Sequence, residues 1–176
     1  NRDEAAAAGT AMHYDIECYY NNMTVVNDSI EFEWFQRFVK DFPELKPYRT
    51  EMMVYYEELK LSGSIDMLFE NPDGTLQIYD WKRCRSIEYE NGFGQSAITP
   101  CISHLPDTNF WHYSLQLNTY KTILEKKYGK KITDMYLVCL HPNNAYKTYD
   151  RIEVPCMEKE MEDLFALRKS QVEAMH

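Results

Sequence analysis

Two aspartates and a lysine interrupt a stretch that otherwise asks for burial: Asp66, Asp80 and Lys82 in "GSIDMLFENPDGTLQIYDWKRC", residues 63–84. In a strand, Asp80 and Lys82 point to one face with α-carbons about 6.6 Å apart. Leu76 and Ile78 precede them on that face, so the pair closes an apolar stripe. "NPDG" is hairpin punctuation, and antiparallel pairing across it brings Asp66 into the neighbourhood of Asp80. Two converging carboxylates repel each other unless one is protonated or a cation lies between them. A hard divalent ion answers that need, since Mg²⁺ takes oxygen ligands and keeps waters for chemistry. A nearby ammonium can orient or help deprotonate a bound water and offset charge building on a phosphate. An exposed Asp–Lys pair in a hairpin is the competing reading of "DWK" alone, because short motifs recur by chance.

The elements that must position these groups are legible in outline. Residues 2–20 read as helix despite Gly9, and residues 27–42 form a second, capped by Asp28 or Ser29 and stopped by Pro43. Segments 49–58, 60–70 and 75–82 are strand-like. Residues 86–106, with two Gly and two Pro, read as a long loop, and one of that length is functional or mobile. "DTNFWHYSLQLNTYKTILEKKYG" (107–129) opens on an Asp cap and closes on Gly, which predicts a helix. Segments 132–140 and 145–154 return to strand, and 156–175 is a last amphipathic helix. The order α, α, β, β, β, α, β, β, α predicts an α/β domain, a mixed sheet flanked by helices.

Composition narrows the function classes. With 176 residues and 44% apolar content, the chain reads as one domain, 1–176, without repeats or linkers. It begins at Asn1 with no initiator Met, as expected of a fragment of a longer protein. No apolar run is long enough to span a bilayer, so no membrane partner is expected. Five scattered cysteines form no CxxC pair, which argues against a zinc ribbon or an iron–sulfur site. Reduced, mostly buried thiols suit an intracellular setting. The formal charge of −9 opposes a polyanionic partner, so any nucleic-acid contact must use a local basic patch, bound cations or aromatic stacking.

Taken in order, four segments resemble the PD-(D/E)XK nuclease superfamily, and within it the RecB-like exonuclease branch. Gly63 and Asp66 match its Gly-x-x-Asp strand, and Asp80 and Lys82 its acidic-x-Lys strand. "GTAMH" (9–13) matches the upstream Gly-Thr-x-x-His helix, and "QLNTY" (116–120) the downstream Gln-x-x-x-Tyr helix. The literal Pro-Asp is absent, and "SID" supplies its Asp. The resemblance implies a restriction-endonuclease-like core, αβββαβ with extra helices, and one or two Mg²⁺ or Mn²⁺ ions. It implies Asp66, Asp80, His13 and the Trp81 backbone carbonyl as metal ligands. Lys82 would position or activate the attacking water, and Gln116 and Tyr120 would hold a phosphate or the lysine in place. The activity implied is a metal-dependent DNase, an exonuclease on single-stranded or free-ended DNA in replication, recombination or repair. A fused or associated helicase or polymerase is an open partner.

Other residues stay between two readings. Glu51 joins the metal shell or is simply solvated, and Glu17 stands one helical turn from His13. Arg83 and Arg85 contact backbone phosphate or form a solvated cluster. Trp111, His112 and Tyr113 stack on bases or pack in the core. A structure-specific endonuclease or an RNase of the same fold would keep the same residues. A non-catalytic nucleic-acid-binding module is the rival from outside enzymology.

Overall fold

A computed structural model describes all 176 residues, Asn1 to His176. Helices α1 (Arg2–Tyr20) and α2 (Ile30–Asp41) lead into three strands, β1 (Lys46–Tyr56), β2 (Leu61–Glu70) and β3 (Leu76–Lys82). Helix α3 (Asn109–Lys127), strands β4 (Ile132–Cys139) and β5 (Asp150–Glu153) and helix α4 (Glu158–Glu173) complete the chain. The five strands form one mixed sheet in sequence order. Only β3 and β4 run parallel, and α3 supplies the crossover that a parallel connection needs. The expected α/β class, a mixed sheet flanked by helices in αβββαβ order, is the architecture found.

Strand alternation divides the core into two halves. Leu76 and Ile78 of β3 pack toward α3 and α4, with Leu117, Ile123, Leu124 and Phe165. Tyr79 and Trp81, in the alternate positions, pack toward α1 and α2, with Met12, Ile16, Phe35 and Phe38. Phe35 and Phe38 each meet the Trp81 ring edge-on with centroids 5.4 Å apart. This aromatic packing fixes the backbone of β3 at Trp81, between the two residues of the sequence motif.

The N-caps show why the helices begin where they do. Ser29 caps α2 by accepting from the Phe32 N–H, one of the two caps expected. In α3 the cap is Thr108, not Asp107. Asp107 instead stands 2.7 Å from His112 Nε2, leaving the Thr108 hydroxyl oxygen to accept from Trp111 N–H. The strand expected over 145–154 is only β5, because Asn144 ties the preceding segment into turns and Lys147 takes a left-handed backbone, φ 53°. The 86–106 loop is largely built from turns. Its Asn91 amide donates to the Asp107 carbonyl and accepts from the Phe93 N–H, and Ala97 N–H donates to the Leu105 carbonyl.

Candidate active site

The site lies where β2 and β3 meet α1 and α3. The β2–β3 ladder is last paired at Met67 and Tyr79, which puts Asp66 and Asp80 at the next step. There the Asp66 carboxylate accepts the Trp81 N–H at 3.0 Å. Ile65 and Leu68 enter one core and Met67 and Phe69 the other, so simple alternation is interrupted at Asp66. Across β1, the pairs Thr50–Met67 and Met52–Ile65 bracket Glu51 opposite Asp66. Glu51 carries the compensating distortion, a left-handed backbone with φ 44° that costs a non-glycine residue about 1 kcal/mol or more. Glu51, Asp66 and Asp80 thus stand in one row across three strands.

Charge at this row is tightly organised. Asp80 is 4% exposed, with Lys82 Nζ 2.9 Å from its Oδ2. That buried oxygen faces the Lys82 ammonium and no other donor. Burial and the Asp66 charge push the Asp80 carboxyl up to about 7, against the pull of Lys82. Burial works against the Lys82 ammonium too, but the Asp80 carboxylate outweighs it and holds Lys82 above its ordinary value. The ammonium also rests 4.2 Å from the Tyr113 ring centroid. Lys82 is therefore a cation at neutral pH, suited to stabilising charge and orienting water rather than to taking a proton.

His13 closes the opposite side. Its Nδ1 is 2.8 Å from the Gly9 carbonyl and its Nε2 is 2.7 Å from the Trp81 carbonyl. Carbonyls only accept, so these two contacts favour a ring that donates from both nitrogens, the imidazolium form. Its Nε2 also stands 3.2 Å from Asp66 Oδ2. Burial would lower His13, but the Asp66 carboxylate and the two carbonyls outweigh it and raise it to about 9. Beyond His13 opens a groove of about 500 Å³ lined by Tyr14, Glu17, Glu51 and Asp66. Burial and then the Asp66 charge raise Glu51, while the Ser64 hydroxyl donates to its Oε2 at 3.1 Å.

No set of three or more His, Cys, Asp or Glu side chains stands in ligand arrangement here. A hard cation nevertheless fits the oxygens present, provided a backbone carbonyl counts among them. The buried Asp80 carboxylate, which already faces one cation in Lys82, is one donor. The imidazolium N–H between the Trp81 carbonyl and Asp66 shows that those two oxygens already converge on positive charge.

Helix α3 supplies the third wall. Gln116 donates to the Tyr120 hydroxyl at 2.9 Å. Burial raises the Tyr120 phenol, Gln116 offsets part of that, and the nearby Asp80 and Asp66 charges add to it. Gly63 is required by this ring, for a Cβ there would lie 2.5 Å from Tyr120 Cε1. The spacing Gly63-x-x-Asp66 thus has a packing cause at one end and a charge at the other. Gly63→Ala is expected to destabilise the fold by about 1–3 kcal/mol through overpacking. Thermal melts of Gly63→Ala alone and with Tyr120→Ala check the cause, since removing the ring must relieve most of the loss.

The remaining expected residues separate. Arg83 Nε pairs with Glu31 of α2 at 3.2 Å in a largely buried bridge, which removes it from the exposed cluster. Arg85 is exposed. Trp111 is half-buried and packs against both the α3 core and the Ile102–Leu105 cluster, the core reading of the two. Tyr113 faces Lys82. Ser64, which fixes Glu51, gave no signal in the sequence.

No family model and no curated protein matches the chain. Among solved structures it is similar to EndoMS in complex with double-stranded DNA, at 19% identity and a TM-score of 0.37. That likeness covers 65% of this chain and only 37% of the EndoMS chain. A candidate exonuclease from Eubacterium rectale is similar at 13% identity and a TM-score of 0.39, over 89% of this chain and 73% of that one. Likeness at this level carries no assignment of activity. No helix is long and apolar enough to cross a membrane.

Proposed function

We propose that the chain is a metal-dependent nuclease that hydrolyses DNA phosphodiester bonds, acting as an exonuclease on single-stranded or free ends. One observation supports this most: Asp66 from the middle of β2 converges with Asp80, Lys82 and the Trp81 carbonyl at the end of β3 and with His13 of α1. Mg²⁺ or Mn²⁺ would be held by Asp66, Asp80, the Trp81 carbonyl and His13, with Glu51 a further carboxylate at the groove. Bound there, the ion supplies Lewis acidity toward a phosphate and a more acidic water.

The chain's own residues do the rest. As a ligand, His13 would have to lose its Nε2 proton while its Nδ1–H stays on the Gly9 carbonyl and fixes the ring. Lys82 stays an ammonium and offsets charge developing on the phosphate. Gln116, exposed at the rim and bonded to Tyr120, is placed to hold a phosphate oxygen. Bound cations and exposed Arg85 relieve the repulsion between an acidic chain and DNA.

A cleavage time course on end-labelled single-stranded, double-stranded and closed-circular DNA tests the reading, each with Mg²⁺, Mn²⁺ or EDTA. Loss of label from linear single strands in either metal, abolished by EDTA and by Lys82→Ala, is the expected result. Uncut DNA in both metals would overturn the nuclease assignment, and nicking of closed circles would replace exonuclease by endonuclease.

A further inference from the structure

Two thiols lie just past the end of β3, outside the chemistry proposed above. Cys139 ends β4 directly opposite Lys82 in the parallel ladder, and Cys84 follows Lys82 by two residues. Their sulfurs are 3.3 Å apart, and the Cys139 sulfur lies against the Cys84 carbonyl, so its single S–H is shared between the Cys84 sulfur and carbonyl oxygen. Both are reduced. Cys84 is half-buried and Cys139 fully buried, but Cys139 lines a cavity of about 440 Å³ with Arg85, Ser86, Asn144 and Asp150. A small oxidant can reach Cys84 through its own partial exposure, and the cavity borders its partner Cys139. The Cys139 contact, and after it the Lys82 charge, hold the Cys84 thiol below its ordinary value despite its burial. A reactive thiol beside a resolving one is the arrangement of a reversible oxidation site.

We propose that Cys84 and Cys139 form a reversible disulfide with two-electron oxidants of the peroxide class, clamping the segment after Lys82 to β4. The Cys84 thiolate attacks the peroxide, forming an S–O bond as the O–O bond breaks, and with one proton yields a sulfenic acid and water. The Cys139 sulfur then attacks the sulfenic sulfur, forming the S–S bond as the S–O bond breaks. The departing hydroxide takes the Cys139 proton and leaves as a second water. Two thiols and one peroxide thus give one disulfide and two waters, and a small-molecule thiol reverses the change. The bond would close a loop between residues 55 apart that contains the 86–106 segment and all of α3.

The test is peroxide treatment of the intact 176-residue chain, followed by alkylation of free thiols and non-reducing peptide mapping. Expected are a Cys84–Cys139 linked peptide, a mass lower by two hydrogens, and alkylation retained at Cys18, Cys101 and Cys156. The unfolding midpoint should rise by roughly 5–10 °C and return with dithiothreitol. Cys84→Ser, at the half-buried position, should abolish both the link and the rise. Full alkylation of Cys84 and Cys139 after peroxide, or their conversion to sulfinic acids without a link, would overturn the proposal. None of these readouts involves DNA cleavage.

Discussion

Asp80→Asn should lower metal-dependent DNA cleavage on the order of 10³-fold or more while leaving the metal-free protein at least as heat-stable as wild type at pH 8. The first half follows from losing the buried carboxylate proposed to hold the cation. The second follows from what that carboxylate costs the fold. Asp80 is buried at the end of the Leu76–Ile78 stripe, where desolvation outweighs the pull of Lys82. Its carboxyl, raised from 3.8 to about 7, keeps a proton that the unfolded chain has already released. Stability from this group therefore falls as pH climbs from about 4 to about 7 and stays low above. The isosteric amide removes the charge. Lys82 loses a partner but keeps the Tyr113 face. Melts in EDTA across pH 4–8 should show a flatter profile for Asp80→Asn. A variant that melts well below wild type at pH 8 would mean that the Asp80–Lys82 pair is structural.

The second large effect belongs to His13 and has a different pH window. His13 is raised from 6.5 to about 9, so its contribution is fully present below about pH 6.5 and lost as pH rises through about 9. Its side chain is 32% exposed, and with solvent screening the contribution is on the order of 2 kcal/mol. His13→Gln keeps a hydrogen-bond donor for the Trp81 carbonyl but cannot carry charge. Chemical denaturation in EDTA should find the variant weaker than wild type by that amount at pH 6, with the gap closing by about pH 9.5. A gap that does not change with pH would show that His13 acts through packing alone.

How much of this was written in the sequence depended on how local the cause was. Helix α1 was legible from its helix-forming residue types and α2 from its local cap, periodicity and stop signals, and "NPDG" closed the β2–β3 hairpin as expected. Asp80 and Lys82 on one face followed from strand geometry alone. The resemblance singled out Gly63, His13, Gln116 and Tyr120, but the Tyr120 ring packed against Gly63 could not be read from it. Arg83, left between phosphate contact and a solvated cluster, gave no sign of its ion pair because its partner, Glu31, is 52 residues away. The left-handed Glu51 could not be read either, since its distortion answers a break of alternation in the neighbouring strand. Nor could the meeting of Cys84 and Cys139, which depends on β4 returning parallel beside β3. The short β5 shows turn chemistry at Asn144 and Lys147 prevailing over a run of strand-forming types.

Manganese binding by the isolated chain, followed by calorimetry or by the electron spin resonance of the free ion at pH 7.5, tests the central claim most directly. Wild type should take up one or two ions, and Asp66→Asn with Asp80→Asn should weaken that uptake at least about a hundredfold without unfolding the protein. Equal uptake by the folded double variant, or none by wild type, would contradict a cation held between these strands.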